Sequence, residues 1–207
     1  MTRLRVALFV AAMFTSAAPM LRAADDVSDF QTAFEAIVAL DPVFAELAPS
    51  TAPGPGHDFV VGSKKVPSAG GAFQHLRVSA HSEPSVVDEQ GVAVAPGENP
   101  KGSVRLTVSL PDFSFDVKGS VECLFVNGNV GLVAARIVEG SPPAPLFEGT
   151  THVTLRIFDW GHPGSPPPDD NWDWYFMNGA PLFCAAFGFI GGEGGSGDII
   201  VHDATPG

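Results

Sequence analysis

Positive charge is scarce in this chain. Eleven lysines and arginines stand against 23 acidic residues, for a formal net charge of −12. That balance excludes the basic footprint a nucleic-acid backbone requires, and it disfavours docking on an anionic membrane surface. Cysteine is scarcer still. Cys123 and Cys184 are the only two, too few for a four-ligand zinc site built on cysteine alone. Catalytic signatures are missing as well. There is no phosphate loop, dinucleotide fingerprint or H-E-x-x-H. There is also no nucleophile elbow, since the GGSG at 194–197 lacks its flanking strand and helix. No cofactor and no metal is implied.

What is present begins with an export pattern. Arg3 and Arg5 precede the apolar run Val6–Phe14, and small residues follow, ending at Ala23-Ala24 before Asp25-Asp26. This is the order of a secretory signal peptide over 1–24, and its apolar core is too short to span a membrane. Its removal would take three of the eleven basic residues and no acid, leaving a net charge of −15 on a chain long enough for one domain with a full core. The expected location is secreted, extracellular or periplasmic, with no membrane insertion of the mature chain. In that setting an even cysteine count favours a Cys123–Cys184 disulfide. The alternative is a pair of buried free thiols.

Residues 25–48 read as a helix. Ser28 and Gln31 match a capping box, while Phe30, Phe34, Ile37 and Val38 form one apolar stripe. With the Pro/Gly linker that follows, this region covers 25–56. From 57 to 207 the chain reads as β. The organising stretch is 113–138, where Phe113, Phe115, Val117, Gly119, Val121, Cys123 and Phe125 occupy alternate positions. That period of two predicts a strand with Cys123 on its buried face, and the Asn-Gly at 127–128 predicts a hairpin turn. Further alternation predicts strands at 58–62, 72–81, 103–110, 151–160, 171–178 and 198–203. Many short strands with Gly/Pro turns and no β-α alternation mean an all-β antiparallel sandwich or barrel.

For function, the aromatics Trp160, Trp172, Trp174 and Tyr175 lie near the acids Asp159, Asp170 and Asp173. Together they would make a stacking platform for a glycan or small molecule. Trp172 and Trp174 alternate, however, so core packing is the competing reading. A second function is a hydrolase assembled from His202 or His81 with Asp159 or Asp173. A third is a calcium-stabilised secreted protein using Asp169, Asp170 and Asp173, although these miss the EF-hand spacing. A non-catalytic binding or structural module is the first expectation.

Several motifs in order resemble a group of small secreted bacterial proteins of unknown function. They are DFVVG at 58–62, FQHLRVSAHS at 73–82, GENPKGSVRLTV at 97–108, GSVECLFVNGNVGLVAARI at 119–137, RIFDWGHPG at 156–164 and GDIIVHDA at 197–204. The resemblance covers roughly residues 58 to 204. This chain departs at Trp160, where the group usually has Asn, and at Gly131-Leu132. The resemblance implies a β fold and an exported compartment, and no catalytic residues.

Overall fold

The computed structural model describes residues 56–89, 93–143, 147–160, 170–179, 184, 190–193 and 195–204. The expected signal peptide and the helix at 25–48 lie outside them. Among the described residues, every regular element longer than one turn is a strand. They are β1 (Asp58–Pro67), β2 (Phe73–Ser82), β3 (Val86–Val87), β4 (Ala93–Ala95), β5 (Lys101–Ser109) and β6 (Ser114–Asn127). There follow β7 (Val130–Gly140), β8 (His152–Phe158), β9 (Asn171–Met177), β10 (Ile190–Glu193) and β11 (Ser196–His202). The fold is all-β and antiparallel.

Nine strands form one sheet in the order β10-β9-β8-β7-β6-β5-β2-β1-β11, and β3 with β4 makes a separate small hairpin. The sheet curls over its own concave face into a half-barrel, so the sandwich alternative does not hold. A single twisted sheet of this width can bury its apolar face by coiling on itself and needs no second layer. The concave face carries Val60, Val66, Leu76, Val78, Leu106, Val117, Val133, Leu155, Ile157, Ile199 and Val201 in one continuous core. Gly131 shows how tightly the curl closes. A methyl group at its Cβ position would sit 2.6 Å from Val60 Cγ2 on β1 and 3.5 Å from Val201 Cγ2 on β11. A glycine on β7 therefore lets the far limb of the sheet pack directly against it.

The long hairpin of β6 and β7 forms as the alternation requires, with Gly128 at φ 59 at the first of its two loop positions. Its phase does not stay constant. The pairing slips between Val121 and Cys123, which leaves Glu122 as the extra residue of a β-bulge. The bulge inverts the side-chain parity. Phe115, Val117 and Val121 point inward before it, and Leu124 and Val126 point inward after it. Cys123 is therefore on the convex face, not the buried face that strict alternation predicts. There it bonds to Cys184 across 61 residues, with a Cα–Cα distance of 5.2 Å. Cys184 is fully buried, and so is Ala134 opposite Cys123.

β1 runs further than the sequence suggests, through Lys64 and Lys65 to Pro67. Lys65 is exposed and lies over the Phe73 ring. Lys64, one residue earlier, points into the concave side and is 1% exposed.

Candidate functional site

Residues 161–169 of the expected ligand platform lie outside the described residues, and several of the platform residues on either side have structural jobs. Trp172 and Trp174 are 0% and 1% exposed, on the concave face of β9. They are core residues and present no face to a ligand, because alternation on β9 turns both inward. Trp174 meets Phe115 and Phe176 edge-to-face and donates its indole N–H to Gln74 Oε1 at 2.9 Å. Asp159 and Asp170 face the open edge of β11. The N–H groups of Ile199 and Val201 alternate with those that pair to β1, so they point off the sheet. Asp170 Oδ2 accepts from Ile199 N–H at 2.9 Å, and Asp159 Oδ2 accepts from Val201 N–H at 3.0 Å. Two carboxylates thus stand where a neighbouring strand would otherwise supply carbonyls.

Asp170 is the more constrained of the two. It is 1% exposed, and its Oδ1 also accepts from Trp160 N–H at 3.2 Å. Burial pushes its pKa up to about 7, and the Asp198 and Asp159 carboxyls add to the rise, while the Ile199 and Trp160 N–H groups oppose it. The Lys64 ammonium lies 4.0 Å from Oδ2, too far for a hydrogen bond and near enough to offset charge. Asp58 plays a similar pinning role at the other end of the seam. It accepts from Ser85 N–H, Ser85 Oγ–H and Ala204 N–H at 2.7, 2.8 and 3.0 Å. Its pKa is raised by burial, against those hydrogen bonds.

The remaining platform residues lie on the convex face. Trp160 is 43% exposed and lies nearly parallel to Phe158, with ring centroids 6.0 Å apart and planes inclined by 5°. The Arg156 guanidinium is 5.3 Å from the Phe158 centroid. Asp173, paired across the strands with Arg156, accepts from its Nε at 2.8 Å and also from its Nη2. Tyr175 is half-buried on the same face, with its ring edge-on to Phe147 at 6.1 Å. Trp160, Phe158, Arg156 and Asp173 therefore form one ribbon.

The residues of the hydrolase reading take the following contacts. Asp173 is held by Arg156, and Asp159 by the β11 edge. His202 stacks on Phe59 at 4.6 Å. His81 is buried, with its pKa lowered first by burial and then by His57 and Lys101. Of the calcium set, Asp169 lies outside the described residues, and Asp170 and Asp173 point to opposite sides of β9. Among the described residues no group of three or more His, Cys, Asp or Glu side chains could hold a metal ion.

A different constellation does come together at the other end of the same convex face. The bulge aims Glu122 at two neighbours on adjacent strands. Its Oε1 accepts from Arg136 Nε at 2.6 Å, and its Oε2 lies 3.1 Å from His152 Nε2. The other ring nitrogen of His152, Nδ1, lies 2.8 Å from Thr151 Oγ1. Gly179 N–H donates to that same oxygen at 3.0 Å. The Arg136 hydrogen bond, and then that of His152, hold the Glu122 carboxyl below its ordinary pKa. His152 is 6% exposed, whereas Thr151 is exposed. Thr151 and Arg136 line a cleft of about 580 Å³, together with Ile137, Pro142, Phe147 and Thr150.

Sequence reasoning missed this set for a physical reason. Adjacent residues in a strand point to opposite faces, which argues against a Thr-His dyad. Thr151, however, precedes the first residue of β8 and is free of that alternation. Glu122 was hidden by the bulge.

Comparison of the chain with family models, curated proteins and solved structures returned no match. The disulfide is compatible with a secreted protein, and among the described residues no helix is long and apolar enough to cross a membrane.

Proposed function

We propose that this is an exported binding module that takes a glycan or a small molecule on the ribbon of Trp160, Phe158, Arg156 and Asp173. The observation that carries the reading is the exposed Trp160 indole lying parallel to Phe158. A flat apolar surface of that kind stacks against the C–H face of a sugar ring or another planar group. Arg156 and Asp173 alongside supply donors and acceptors for hydroxyl groups. Their mutual ion pair holds both in place before a ligand arrives, which reduces the entropy lost on binding. The acidic surface favours neutral or cationic ligands over polyanions.

Export is supported by the charge, apolar and small-residue order of 1–24, by the disulfide, and by the motif order that resembles small secreted bacterial proteins. The test is ligand-detected NMR of the full chain against glycans and cell-wall fragments. A bound ligand should be lost on Trp160→Ala and weakened on Arg156→Ala. A panel in which Trp160→Ala binds everything the parent binds removes the ribbon as the site.

A further inference from the structure

We infer that Thr151 is the nucleophile of an acyl-transfer site, with His152 as its general base and Glu122 as the residue that positions the imidazole. The site is separate from the Trp160 ribbon and does not rest on it. Three features carry it. The first is a continuous hydroxyl–imidazole–carboxylate chain, at 2.8 Å from Thr151 Oγ1 to His152 Nδ1 and 3.1 Å from His152 Nε2 to Glu122 Oε2. A nucleophile within hydrogen-bond reach of a base that a third group orients is the general signature of an activated hydroxyl.

The second is the ring's tautomer. A carboxylate can only accept, so Nε2 carries a hydrogen, and in the neutral ring Nδ1 then presents a lone pair to the Thr151 hydroxyl. That is the state a base must be in. The third is access. The imidazole is shielded at 6% exposure, while Thr151 opens on the cleft of about 580 Å³. The cleft offers Phe147, Ile137 and Pro142 to an apolar acyl chain, and Arg136 at the same wall. Arg136 uses Nε on Glu122, and its guanidinium has further N–H donors for a developing oxyanion.

The chemistry balances with water as the only co-reactant. Thr151 Oγ1 attacks the carbonyl carbon of a small ester and passes its proton to His152 Nδ1. The tetrahedral intermediate collapses as the bond to the leaving alcohol breaks, and the imidazolium returns the proton to that alcohol. Water, deprotonated by the same Nδ1, then attacks the threonyl ester, and the acid departs with Thr151 restored. The fold contributes to each step. The bulge aims Glu122, the start of β8 places Thr151 beside His152, and Gly179 N–H fixes the hydroxyl oxygen.

The experiment is covalent labelling of the full chain with a fluorophosphonate and with p-nitrophenyl acetate, read by intact mass and peptide mapping. The expected result is one adduct per chain on Thr151. It should be absent in Thr151→Val, retained in Thr151→Ser, and slowed by about two to four orders of magnitude in His152→Gln. Nitrogen-15 NMR of the parent should place the hydrogen of the neutral His152 ring on Nε2, and Glu122→Gln should raise the fraction with hydrogen on Nδ1. Trp160→Ala should label at the parent rate, so loss of ribbon binding and loss of labelling are separate outcomes. A parent that forms no adduct at Thr151, an adduct that survives in Thr151→Val, or a parent ring protonated on Nδ1 overturns the inference.

Discussion

Replacing Asp170 by asparagine tests the seam at its most buried point. In the folded chain Asp170 titrates near 7 in place of its ordinary 3.8. Folding therefore favours the protonated form. The stabilisation from this group is complete below its ordinary value and is lost as pH rises through 7. Integrated between pH 5 and pH 8, a shift of that size removes on the order of 2–3 kcal/mol from the parent. Asparagine has the shape of the neutral acid and no charge to bury. It presents one oxygen and one NH2 to the two backbone N–H groups that Asp170 serves, those of Trp160 and Ile199. One N–H then faces a donor, at about 1–3 kcal/mol.

The stability difference between the two proteins should therefore move by about 2–3 kcal/mol in favour of Asp170→Asn from pH 5 to pH 8. Asp58, Asp116 and Glu122 also have shifted pKa values, but they are common to both proteins and cancel in the difference. Urea denaturation followed by tryptophan fluorescence at four pH values between 5 and 8 gives that difference directly. Two stability curves that run parallel over the whole range would refute the reasoning, because they would mean that Asp170 does not change protonation there.

The remaining predictions concern packing and the staple. The Cys123→Ala, Cys184→Ala double variant frees a loop of 61 residues and should lose about 4 kcal/mol in urea on the chain-entropy account; a loss under about 1 kcal/mol would contradict it. Gly131→Ala drives a methyl into Val60 and should cost about 1–3 kcal/mol, with partial recovery when Val60→Ala is added. Trp174→Phe removes the indole donor from Gln74 Oε1. It should cost about 1–3 kcal/mol for that buried acceptor, and less when Gln74→Leu accompanies it, both read as urea midpoints.

The strands were legible wherever one face is apolar and the other polar. Val104, Leu106 and Val108 alternate against Ser103, Arg105 and Thr107, and all six lie as that pattern requires in β5. The hairpin was legible for the same reason, up to the bulge. Beyond it, Cys123 and Leu124 are both apolar, so the sequence did not single out the residue at which parity switches. β1 seemed to stop at Gly62 because two lysines follow. That Lys64 turns inward toward Asp170 depends on a loop about a hundred positions away.

The site divides the same way. Trp172 and Trp174 carried an alternation that favours the core, and the core is where they are. Asp159 and Asp170 were recognised as carboxylates beside aromatics. That they serve the N–H groups of β11 is a tertiary event without a local signal. Thr151 and His152 are adjacent in sequence, and their meeting with Glu122 needed both the bulge and the β6-β7-β8 register.

The placement of β1 beside β11 has a consequence for how the molecule is made. Among the described strands, the first to emerge during synthesis is paired on one side with the last. The two are joined further by the hydrogen bond from Ala204 N–H to Asp58, 146 residues apart. Until the final residues of β11 arrive, the edge of β1 is bare and Val60 lacks its partner Val201. The hairpin of β6 and β7 can form from local contacts, but completion of the sheet waits on the long-range pairing of β1 with β11. A chain that lacks β11 is therefore a sheet with the edge of β1 open.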